Sequence, residues 1–376
     1  MLIQKSFEPV KRISTVDDQY RTGNSAIVEY FQIPSRGFMS FKIAFITDAW
    51  HPQINGVVTT IQNTCTTLER SGHQIKLITP DQFKTIPCPS YPSIRLSLAC
   101  YGKLSRQLDE FNPQRIHIAT EGPLGIAARR YCLKRNLAFT TSFHTLFAEY
   151  VNLRFKIPVS WGYGFLRWFH APAKKVMVAT QSVEADLHAR GFKNSLVRWS
   201  RGVNPDFYYP RDKAFLSMPR PISMFVGRVA IEKNLDAFLS LDIPGTKIVV
   251  GDGPQLKELK AKFPETVFVG FLSGEPLAQH LAAADVFVFP SLTDTFGIVL
   301  LDALASGIPV AAYPVTGPVD VITSDKVGKL DSNLKKAIAD ALQLDAQDCR
   351  NYALNYSWVN CTEQFFNNLV PAFEEI

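Results

Sequence analysis

Short apolar runs alternate with amphipathic stretches along most of this chain, and that alternation constrains the fold more than any other feature. Such β-α-β alternation is typical of parallel sheets with helices on both faces. In the first half, strands are predicted at 41–47, 75–79, 115–119, 138–142 and 175–180, and helices at 57–71, 102–111, 123–136 and 182–190. Gly72 and Gly191 stand where helix C-caps are expected.

A Pro-rich, charged connector at 204–221 interrupts the alternation, which then restarts. Further strands are predicted at 222–226, 246–250, 266–269, 285–289 and 309–312. At about 150 residues per domain, 376 residues favour two domains or one large one. We therefore predict an α/β protein with two doubly wound, Rossmann-like domains facing a cleft. Ligands of such sheets bind at the carboxyl ends of the strands.

The predicted domains cover 41–212 and 213–357. The aromatic, helix-periodic stretch at 351–376 could cap either of them. Residues 1–40 have no clear period and are interpreted as a poorly ordered extension. Because Met39 precedes the first strand so closely, an early start codon is an alternative explanation of this segment.

Composition excludes several classes of protein. With 46% apolar and 20% charged residues, the chain is typical of a globular protein and not of a disordered or fibrous one. No apolar stretch reaches the roughly 18 residues of a membrane-spanning helix, and 1–40 has no apolar signal-peptide core. The six cysteines form no CxxC pair, so neither a zinc site nor a disulfide framework is expected. We therefore expect a cytoplasmic location.

Charge is distributed unevenly along the chain. Residues 41–212 carry 22 basic and 11 acidic side chains, whereas residues 213–376 carry 13 and 19. This asymmetry indicates that the first domain faces an anionic surface, either a membrane or a nucleic acid. Nothing in the sequence resembles a nucleic-acid-binding module, so the nucleic-acid reading remains the weaker alternative.

Several strand ends carry residues suited to a nucleotide ligand. Asn55 and Gly56 form a turn before a helix, where backbone N–H groups can meet a phosphate. Arg228 and Lys233 flank the loop that follows the strand ending near Gly227, and two cations beside a helix can hold a diphosphate. A plain βα turn and a solvated pair of cations explain these two segments about as well.

The most informative segment runs from Asp294 to Asp302, after an apolar strand and into a helix. One carboxylate could accept hydrogen bonds from sugar hydroxyls and the other from a ribose, while N–H groups of 296–299 face a phosphate. Asp294 could equally be a helix N-cap. His144 follows another strand, where a histidine is more often structural than catalytic. The sequence contains no DxD motif, so no metal is expected.

Together these segments resemble the retaining glycosyltransferases of family 4 (group 1), which have the GT-B fold. The resemblance extends from residue 41 to about 376. The matching blocks are Pro-x-x-Asn-Gly-Val at 52–57, Ser-Phe-His-Thr at 142–145, Ser-Arg-Gly-Val-Asn at 200–204, Val-Gly-Arg-x-x-x-Glu-Lys-Asn at 226–234, Gly-Asp-Gly-Pro at 251–254 and Asp-Thr-Phe-Gly-x-x-x-Leu-Asp-Ala-Leu-Ala-x-Gly at 294–307.

The resemblance implies a role for each matching residue. Gly56 would approach the donor diphosphate, Arg228 and Lys233 would neutralise it as it leaves, and His144 would contact the transferred sugar near its reacting carbon. Asp294, with the N–H groups of Phe296 and Gly297, would hold sugar hydroxyls and phosphate. Asp302 would bind the nucleotide ribose, and 269–272 would line the base. The donor-binding set also includes Gly227, Gly270, Phe271, Thr295 and Ile298.

The resemblance further implies that the last helix, about 358–376, crosses back onto the first domain. The family usually has Glu where this chain has Asp294 and Asp302, and each missing methylene shortens the reach of the carboxylate by ~1.5 Å. The implied reaction moves a hexosyl group from a nucleoside diphosphate sugar to an acceptor hydroxyl, with retention and without a metal or other cofactor. A catalytically inactive relative is a further alternative.

The acceptor is inferred from the stretch between Val151 and Val183, which has no acidic residue. Its cations and tryptophans form the predicted membrane contact: Arg154, Lys156, Trp161, Arg167, Trp168, Lys174 and Lys175. Aromatic side chains with flanking cations suit an anionic membrane surface, although a core helix with a solvated face is the alternative. We therefore expect a peripheral enzyme on the inner face of the membrane with a lipid acceptor, such as diacylglycerol or a phospholipid. The alternative is a GDP-mannose-type α-mannosyltransferase acting on a soluble, polysaccharide or lipopolysaccharide glycan.

Overall fold

The computed structural model describes residues 40–53, 55–88 and 91–373, without the side chains of 91–93 and 153–155. The predicted extension therefore lies almost entirely outside the described residues. The first domain contains these elements in chain order: β1 (Lys42–Ile46), α1 (Gly56–Arg70), β2 (Gln74–Ile78), β3 (Thr85–Cys88), β4 (Tyr91–Ser97), α2 (Tyr101–Phe111), β5 (Arg115–Ile118), α3 (Pro123–Arg135), β6 (Thr140–Phe143), α4 (Phe147–Phe155), α5 (Val159–His170), β7 (Lys175–Val178), α6 (Gln181–Ala189) and β8 (Ser195–Arg198).

The second domain and the return to the first contain the remaining elements. They are β9 (Ile222–Val226), α7 (Leu235–Leu239), β10 (Thr246–Val250), α8 (Leu256–Lys262), β11 (Val267–Gly270), α9 (Gly274–Ala282), β12 (Val286–Phe289), α10 (Ile298–Ala305), β13 (Val310–Ala312), α11 (Pro318–Val321), β14 (Gly328–Leu330), α12 (Leu334–Ala341), α13 (Ala346–Ala353) and α14 (Trp358–Asn368).

Each domain is built on a six-stranded sheet with the strand order of a doubly wound fold. The orders are β2-β1-β5-β6-β7-β8 and β11-β10-β9-β12-β13-β14, and neighbouring strands in both sheets are parallel. The predicted pair of Rossmann-like domains is confirmed. An antiparallel hairpin of β3 and β4 stands apart from both sheets and was not predicted.

The apolar strands are covered on both faces, as their composition requires. In the first domain, Ala44 and Ile46 face a core shared with α2, α3, α5 and α6, while Ile43 and Phe45 face α1 and α14. The alternation of neighbouring residues between two cores follows directly from the two-residue period of a strand. In the second domain, the two faces of the sheet are buried in the same way.

Helix α14 packs on the first domain, although it follows the second in sequence. Phe365 and Cys361 are fully buried beside Phe45 and Trp199. The carbonyl of Leu369 accepts a hydrogen bond of 2.9 Å from Arg115 Nη1, which fixes the end of the helix to β5. The chain thus crosses twice between the domains, at 199–221 and again before Ser357.

Candidate active site

Both sheets have a topological switch point, and Arg228, Lys233 and Asp294 lie in the loops beside that of the second sheet. In the second sheet, β9 leads to β10 on one side while β12 lies on the other. The loops 227–234 and 290–297, which follow β9 and β12, therefore lie side by side at the carboxyl edge of the sheet. This is the crevice in which doubly wound sheets bind their ligands.

Both cations predicted to meet a diphosphate are paired with carboxylates. Lys233 Nζ donates to the two oxygens of Asp294 at 2.8 and 2.7 Å, and it lies 5.6 Å from the centre of the Phe289 ring. Arg228 Nη2 lies 2.5 Å from Oε1 of Glu232, whose side chain is buried. Glu232 is part of the block at 226–234, but only the fold shows that it pairs with Arg228. The arrangement presents two partly exposed cations held in place by acids.

Side-chain hydrogen bonds and a close backbone approach fix the loops that carry these ion pairs. Asn234 Nδ2 donates to the carbonyl of Pro290 at 3.1 Å, and Ser291 Oγ donates to the carbonyl of Glu232 at 3.0 Å. Gly251 has a φ of +146°, and a β-carbon there would lie 1.8 Å from the carbonyl oxygen of Gly227. A side chain at this position would push the loop after β10 away from the loop after β9.

The segment predicted to hold sugar and phosphate is the entry to α10. Gly297 is the N-cap residue with a φ of +82°, so Asp294 is not the cap. Phe296 is buried in the core, and the first N–H groups of α10 have no acceptor within the helix. A β-carbon on Gly56 would lie 3.3 Å from Cδ1 of Ile298. The start of α1 and the start of α10, one from each domain, therefore face each other at close range.

Asp302 lies in the second turn of α10, and although the residue keeps some exposed surface, its carboxyl group lies inside the protein. Burial of this group raises its pKa to about 8, because the desolvated charge is disfavoured. Tyr208, in the connector, lies near Asp302. The pKa of Tyr208 is raised mainly by burial and further by the charge of Asp302. The ribose role of Asp302 stays a prediction.

His144 is only 8% exposed, and both of its ring nitrogens are engaged by protein groups. Nδ1 lies 3.0 Å from Nη2 of Arg201, and Nε2 lies 2.8 Å from Oγ of Ser142. Its carbonyl accepts a hydrogen bond of 2.6 Å from Thr295 Oγ1 of the second domain. The structure thus brings His144 to the donor loop through its backbone, and any sugar contact by the ring stays a prediction.

Two residues that sequence reasoning missed hold the same donor loop. Tyr150 Oη donates to the carbonyl of Thr293 at 3.0 Å, and Thr180 Oγ1 donates to the carbonyl of Thr295 at 3.2 Å. The pKa of Tyr150 is raised first by burial and then by the charges of Asp294 and Glu232. Tyr150 lies six residues after His144, in α4, but nothing in its local pattern indicated a role.

The switch point of the first sheet, between β1 and β5, is occupied by a buried carboxylate. Asp48 Oδ1 accepts from the N–H of Leu124 at 2.8 Å and Oδ2 from that of Gly125 at 3.1 Å, at the start of α3. Burial raises the pKa of Asp48 to about 6, while these two N–H groups and Thr120 act to lower it. Asp48 therefore anchors α3 beside the cleft.

The remaining donor-site predictions lie at the same edge of the sheet. Gly227 directly follows β9, and Gly270 is the last residue of β11. Phe271 comes next and is exposed. An exposed aromatic ring at this edge is compatible with the predicted base contact, which stays a prediction.

The predicted membrane contact is divided over several elements. Trp161 is 73% exposed and Trp168 48% exposed, both on the outer face of α5. Lys156 and Arg167 are exposed nearby, whereas the side chain of Arg154 is not described. Lys175 begins β7, so Lys174 and Lys175 lie at the amino edge of the sheet, away from the cleft. Across the described ranges, no helix is long and apolar enough to cross a bilayer.

Comparison with known proteins identifies the family. Residues 54–207 match the sequence model described as Glycosyltransferase Family 4, and residues 220–345 match the one described as Glycosyl transferases group 1. The chain belongs to this glycosyltransferase family. One match lies in each half of the chain, and together they confirm the resemblance drawn from the six sequence blocks.

Relatives of this glycosyltransferase differ in their named substrates. The sulfoquinovosyl transferase of Arabidopsis thaliana is 29% identical over 76% of this chain, an alignment that spans 62% of that protein's length. A GDP-mannose-dependent α-mannosyltransferase of Mycobacterium tuberculosis is 29% identical over 86% of this chain and 94% of its own length. An α-monoglucosyldiacylglycerol synthase of Streptococcus pneumoniae is 24% identical over 88% of this chain and 85% of its own length.

Solved structures support the fold of this glycosyltransferase. Sucrose-phosphate synthase from Thermosynechococcus elongatus superposes with a TM-score of 0.71 at 22% identity, covering 87% of this chain and 98% of that one. HepE of Anabaena in complex with UDP-glucose superposes with a TM-score of 0.64 at 15% identity over the same shares. The GT-B architecture is therefore shared.

Proposed function

We propose that this glycosyltransferase moves a hexosyl group from a nucleoside diphosphate sugar to a hydroxyl group of a membrane lipid, of the diacylglycerol or phospholipid type. The observation that carries the proposal is the outer face of α5, where two exposed tryptophans stand among cations in the basic half of the chain. A relative named as an α-monoglucosyldiacylglycerol synthase, aligned over most of both chains, supports a lipid acceptor.

The outer face of α5 has the composition of a membrane contact. Trp161 and Trp168 are seven residues apart, which places them on the same side of the helix, with Arg167 beside them. On neighbouring α3, Ile126 and Leu133 are exposed at the same spacing. Tryptophan favours the headgroup level of a bilayer, and each nearby cation adds about 1 kcal/mol at an anionic leaflet.

The donor half of the proposal rests on the two ion pairs at the β9–β12 switch point. Arg228 and Lys233 would take up the negative charge that gathers on the leaving diphosphate, and the N–H groups at the start of α10 would add to this stabilisation. We propose that these groups act without a metal. Structural neighbours bound to UDP and to UDP-glucose support a nucleotide sugar as donor.

We propose retention of configuration, as the family resemblance implies, and the state of Asp294 bears on how it would occur. Because both of its oxygens are held by Lys233, Asp294 is poorly placed to act as a covalent nucleophile. We propose that the leaving phosphate instead accepts the proton of the acceptor hydroxyl on the same face of the sugar. Relatives named for α-linked products are compatible with this outcome.

Co-sedimentation with liposomes tests the membrane contact. Binding should require anionic lipid, weaken with salt, and fall at least about tenfold when Trp161 and Trp168 are both replaced by Ser, since two interfacial anchors are lost. Phe215→Ser is the matched control, because Phe215 is 47% exposed but lies in the second domain. Equal binding of all variants to neutral and anionic vesicles would contradict the proposal.

Charge reversal tests whether the basic edge belongs to the same contact. Lys174→Glu with Lys175→Glu should weaken binding to anionic vesicles, whereas Lys257→Glu with Lys260→Glu, on exposed positions of α8, should not. Transfer of labelled sugar into the lipid phase from vesicles containing diacylglycerol then tests the acceptor itself. A soluble product formed with equal efficiency without vesicles would exclude a lipid acceptor.

A second candidate is a GDP-mannose-dependent α-mannosyltransferase with a non-lipid glycan acceptor. It is favoured by the relative of that name, which is 29% identical to this chain, whereas the diacylglycerol synthase is 24% identical. The alignment with the mannosyltransferase spans 94% of that protein's length. Thermal shift with UDP, GDP and ADP separates the donors, because a nucleotide at 100 times its Kd should stabilise the fold by about 2.7 kcal/mol. A shift with GDP alone, together with transfer to a soluble glycan, would favour this candidate.

A further inference from the structure

Arg201, in the matching block 200–204, is a buried cation beside the candidate site. It is 5% exposed, and its Nη1 donates to the carbonyls of Trp199 and Ser200 at 2.5 and 2.8 Å. Its Nη2 lies 3.0 Å from Nδ1 of His144, and its guanidinium lies 5.0 Å from the ring centre of Trp199. The guanidinium therefore reaches the candidate site from the crossover between the domains.

The crossover holds Arg201 in a confined position. A β-carbon on Gly202 would lie 2.5 Å from the backbone nitrogen of Trp358, and the N–H of Val203 donates to the carbonyl of Tyr356 at 3.0 Å. The two crossing segments thus run against each other directly beside Arg201. A side chain anchored there has little freedom to turn away from His144.

The hydrogen bonds around His144 permit only one neutral form of its ring. An arginine side chain always donates, so Nδ1 of His144 must be the acceptor of the Arg201 hydrogen bond and carries no proton. Ser142 Oγ donates its single hydrogen to the carbonyl of Ala119 at 3.2 Å and must accept from Nε2 of His144. The Arg201 contact alone requires a proton on Nε2, and the contacts of Ser142 are satisfied when the proton is there.

The same pattern continues one residue further into the fold. His117 Nε2 lies 3.2 Å from Ser142 Oγ, and its Nδ1 lies 2.9 Å from Thr140 Oγ1. Burial lowers the pKa of His117 to about 3, so this ring is neutral as well. In the series of hydrogen bonds from Thr140 through His117, Ser142 and His144 to Arg201, each donor can therefore meet an acceptor while Arg201 carries its charge.

Charges facing His144 oppose its protonation. The titratable groups around it are Arg201 from the crossover, His117 from β5 and His170 from α5, and Thr295 adds a neutral hydroxyl from the second domain. Burial, followed by Arg201, lowers the pKa of His144 well below its ordinary value. A protonated ring would also place an Nδ1–H group against the guanidinium.

We propose that Arg201 is a positioning residue that holds His144 uncharged, in the tautomer with its proton on Nε2, beside the donor loop. This proposal deepens the proposed function, since His144 is the residue expected next to the transferred sugar. A neutral ring adds no charge of its own beside the donor loop over the physiological pH range. It also excludes His144 as a general acid or base, because its basic nitrogen is occupied by Arg201.

The tautomer can be measured without any substrate, by long-range proton–nitrogen correlation spectra of the full chain labelled with nitrogen-15 in histidine. His144→Gln assigns the signal. We expect a neutral, Nε2-protonated ring from about pH 5.5 to pH 8 in the wild type. A proton on Nδ1, or an imidazolium at pH 6, would overturn the proposal whether or not a lipid is the acceptor.

Two variants then test whether Arg201 is the cause. Arg201→Met should raise the pKa of His144 toward its ordinary value of about 6.5 without reaching it, because burial remains, and Arg201→Lys, which keeps the charge, should restore most of the wild-type behaviour. Arg129→Met is the matched control, since Arg129 also donates to two backbone carbonyls and stacks 4.1 Å from a tryptophan ring, Trp168, without touching a histidine. Unchanged titration of His144 in Arg201→Met would overturn the proposal.

The pH dependence of the reaction gives a second readout. Arg201→Met should lower kcat/KM at least about twofold more at pH 5.5 than at pH 8, because protonated His144 accumulates only at the lower pH. A loss that is equal at both pH values would show that Arg201 only supports the crossover, and would overturn the positioning role. If Arg201→Met does not fold, the wild-type spectra still decide the tautomer, and Arg201→Gln, an uncharged donor, tests its dependence on charge.

Discussion

Gly56 and Ile298 face each other across the cleft, and a β-carbon on Gly56 would lie 3.3 Å from Cδ1 of Ile298. One residue begins α1 of the first domain and the other begins α10 of the second. The glycine therefore keeps open a narrow space between two helix N-termini, of which that of α1 is capped by Asn55, whose Oδ1 accepts from the N–H groups of Val57 and Val58 at 3.0 Å.

Enlarging Gly56 should reduce activity without unfolding the protein. We expect Gly56→Val to lower kcat/KM about tenfold or more, because its side chain would press on Ile298 and displace the start of α10, which is expected to meet the donor diphosphate. Gly102→Val is the control, since no atom lies within 4 Å of a β-carbon there. Adding Ile298→Ala should recover part of the activity. Failure of this rescue would show that contact with Ile298 is not the cause.

The Lys233–Asp294 pair should be essential for turnover. Lys233→Ala is expected to lower kcat at least about 100-fold, comparable to the loss of one charge-stabilising donor. Lys262→Ala, which breaks an exposed ion pair with Asp236 in the same domain, should change kcat by less than about twofold. Steady-state kinetics at saturating donor measures both. A near-wild-type rate for Lys233→Ala would refute the diphosphate role.

Asp302 is expected to act mainly in donor binding. Asp302→Ala should raise the donor KM more than it lowers kcat, because a ribose contact is made equally in the ground state and the transition state. Asp340→Ala, at an exposed position of α12, is the control. An unchanged KM for Asp302→Ala would show that the carboxyl group does not meet the ribose.

The stability of the protein should depend on pH through Asp302. Below about pH 4 this side chain is neutral in both states, but as pH rises the unfolded chain ionises while the folded chain keeps the proton until about pH 8. The wild type therefore loses stability over this range. The gain in Tm caused by Asp302→Asn should grow from pH 4 to pH 8 and stay constant above. A gain that does not change with pH would contradict the raised pKa.

Tyr150 should couple the domains with little effect on the fold. Tyr150→Phe removes its hydrogen bond to the carbonyl of Thr293, which we expect to cost about 1 kcal/mol, or roughly a fivefold increase in the Kd of the nucleotide. Tyr163→Phe removes a hydrogen bond to Glu149 inside the first domain and should leave that Kd unchanged. Calorimetric titration distinguishes the two. Equal Kd values would assign Tyr150 to stability alone.

Much of the fold followed from the sequence because buried parallel strands have a simple apolar pattern. β9 and β10 begin and end where they were predicted. The β3–β4 hairpin was missed because Pro87 interrupts its first strand, and proline cannot donate to a ladder. β14, with only three residues from Gly328, is too short to show a period.

The candidate site could be predicted only as a set of residues. The motif around Lys233 and the segment from Asp294 both indicated a phosphate ligand, but their pairing depends on β9 and β12 being neighbours, which no local pattern encodes. The same is true of Arg201 and His144, which are 57 residues apart and meet because β6 and β8 end at the same edge of one sheet. Contacts of this kind follow from topology.

The return of α14 has a consequence for engineering. Because Phe365 and Cys361 complete the core of the first domain, the second domain is in effect an insertion between Trp199 and Ser357. A chimera that takes its donor half from another enzyme therefore needs two splice points, one on each crossing segment. With a single junction, a foreign helix would have to fill the space beside Phe45, and a mismatch there would unfold the acceptor half rather than change the donor sugar.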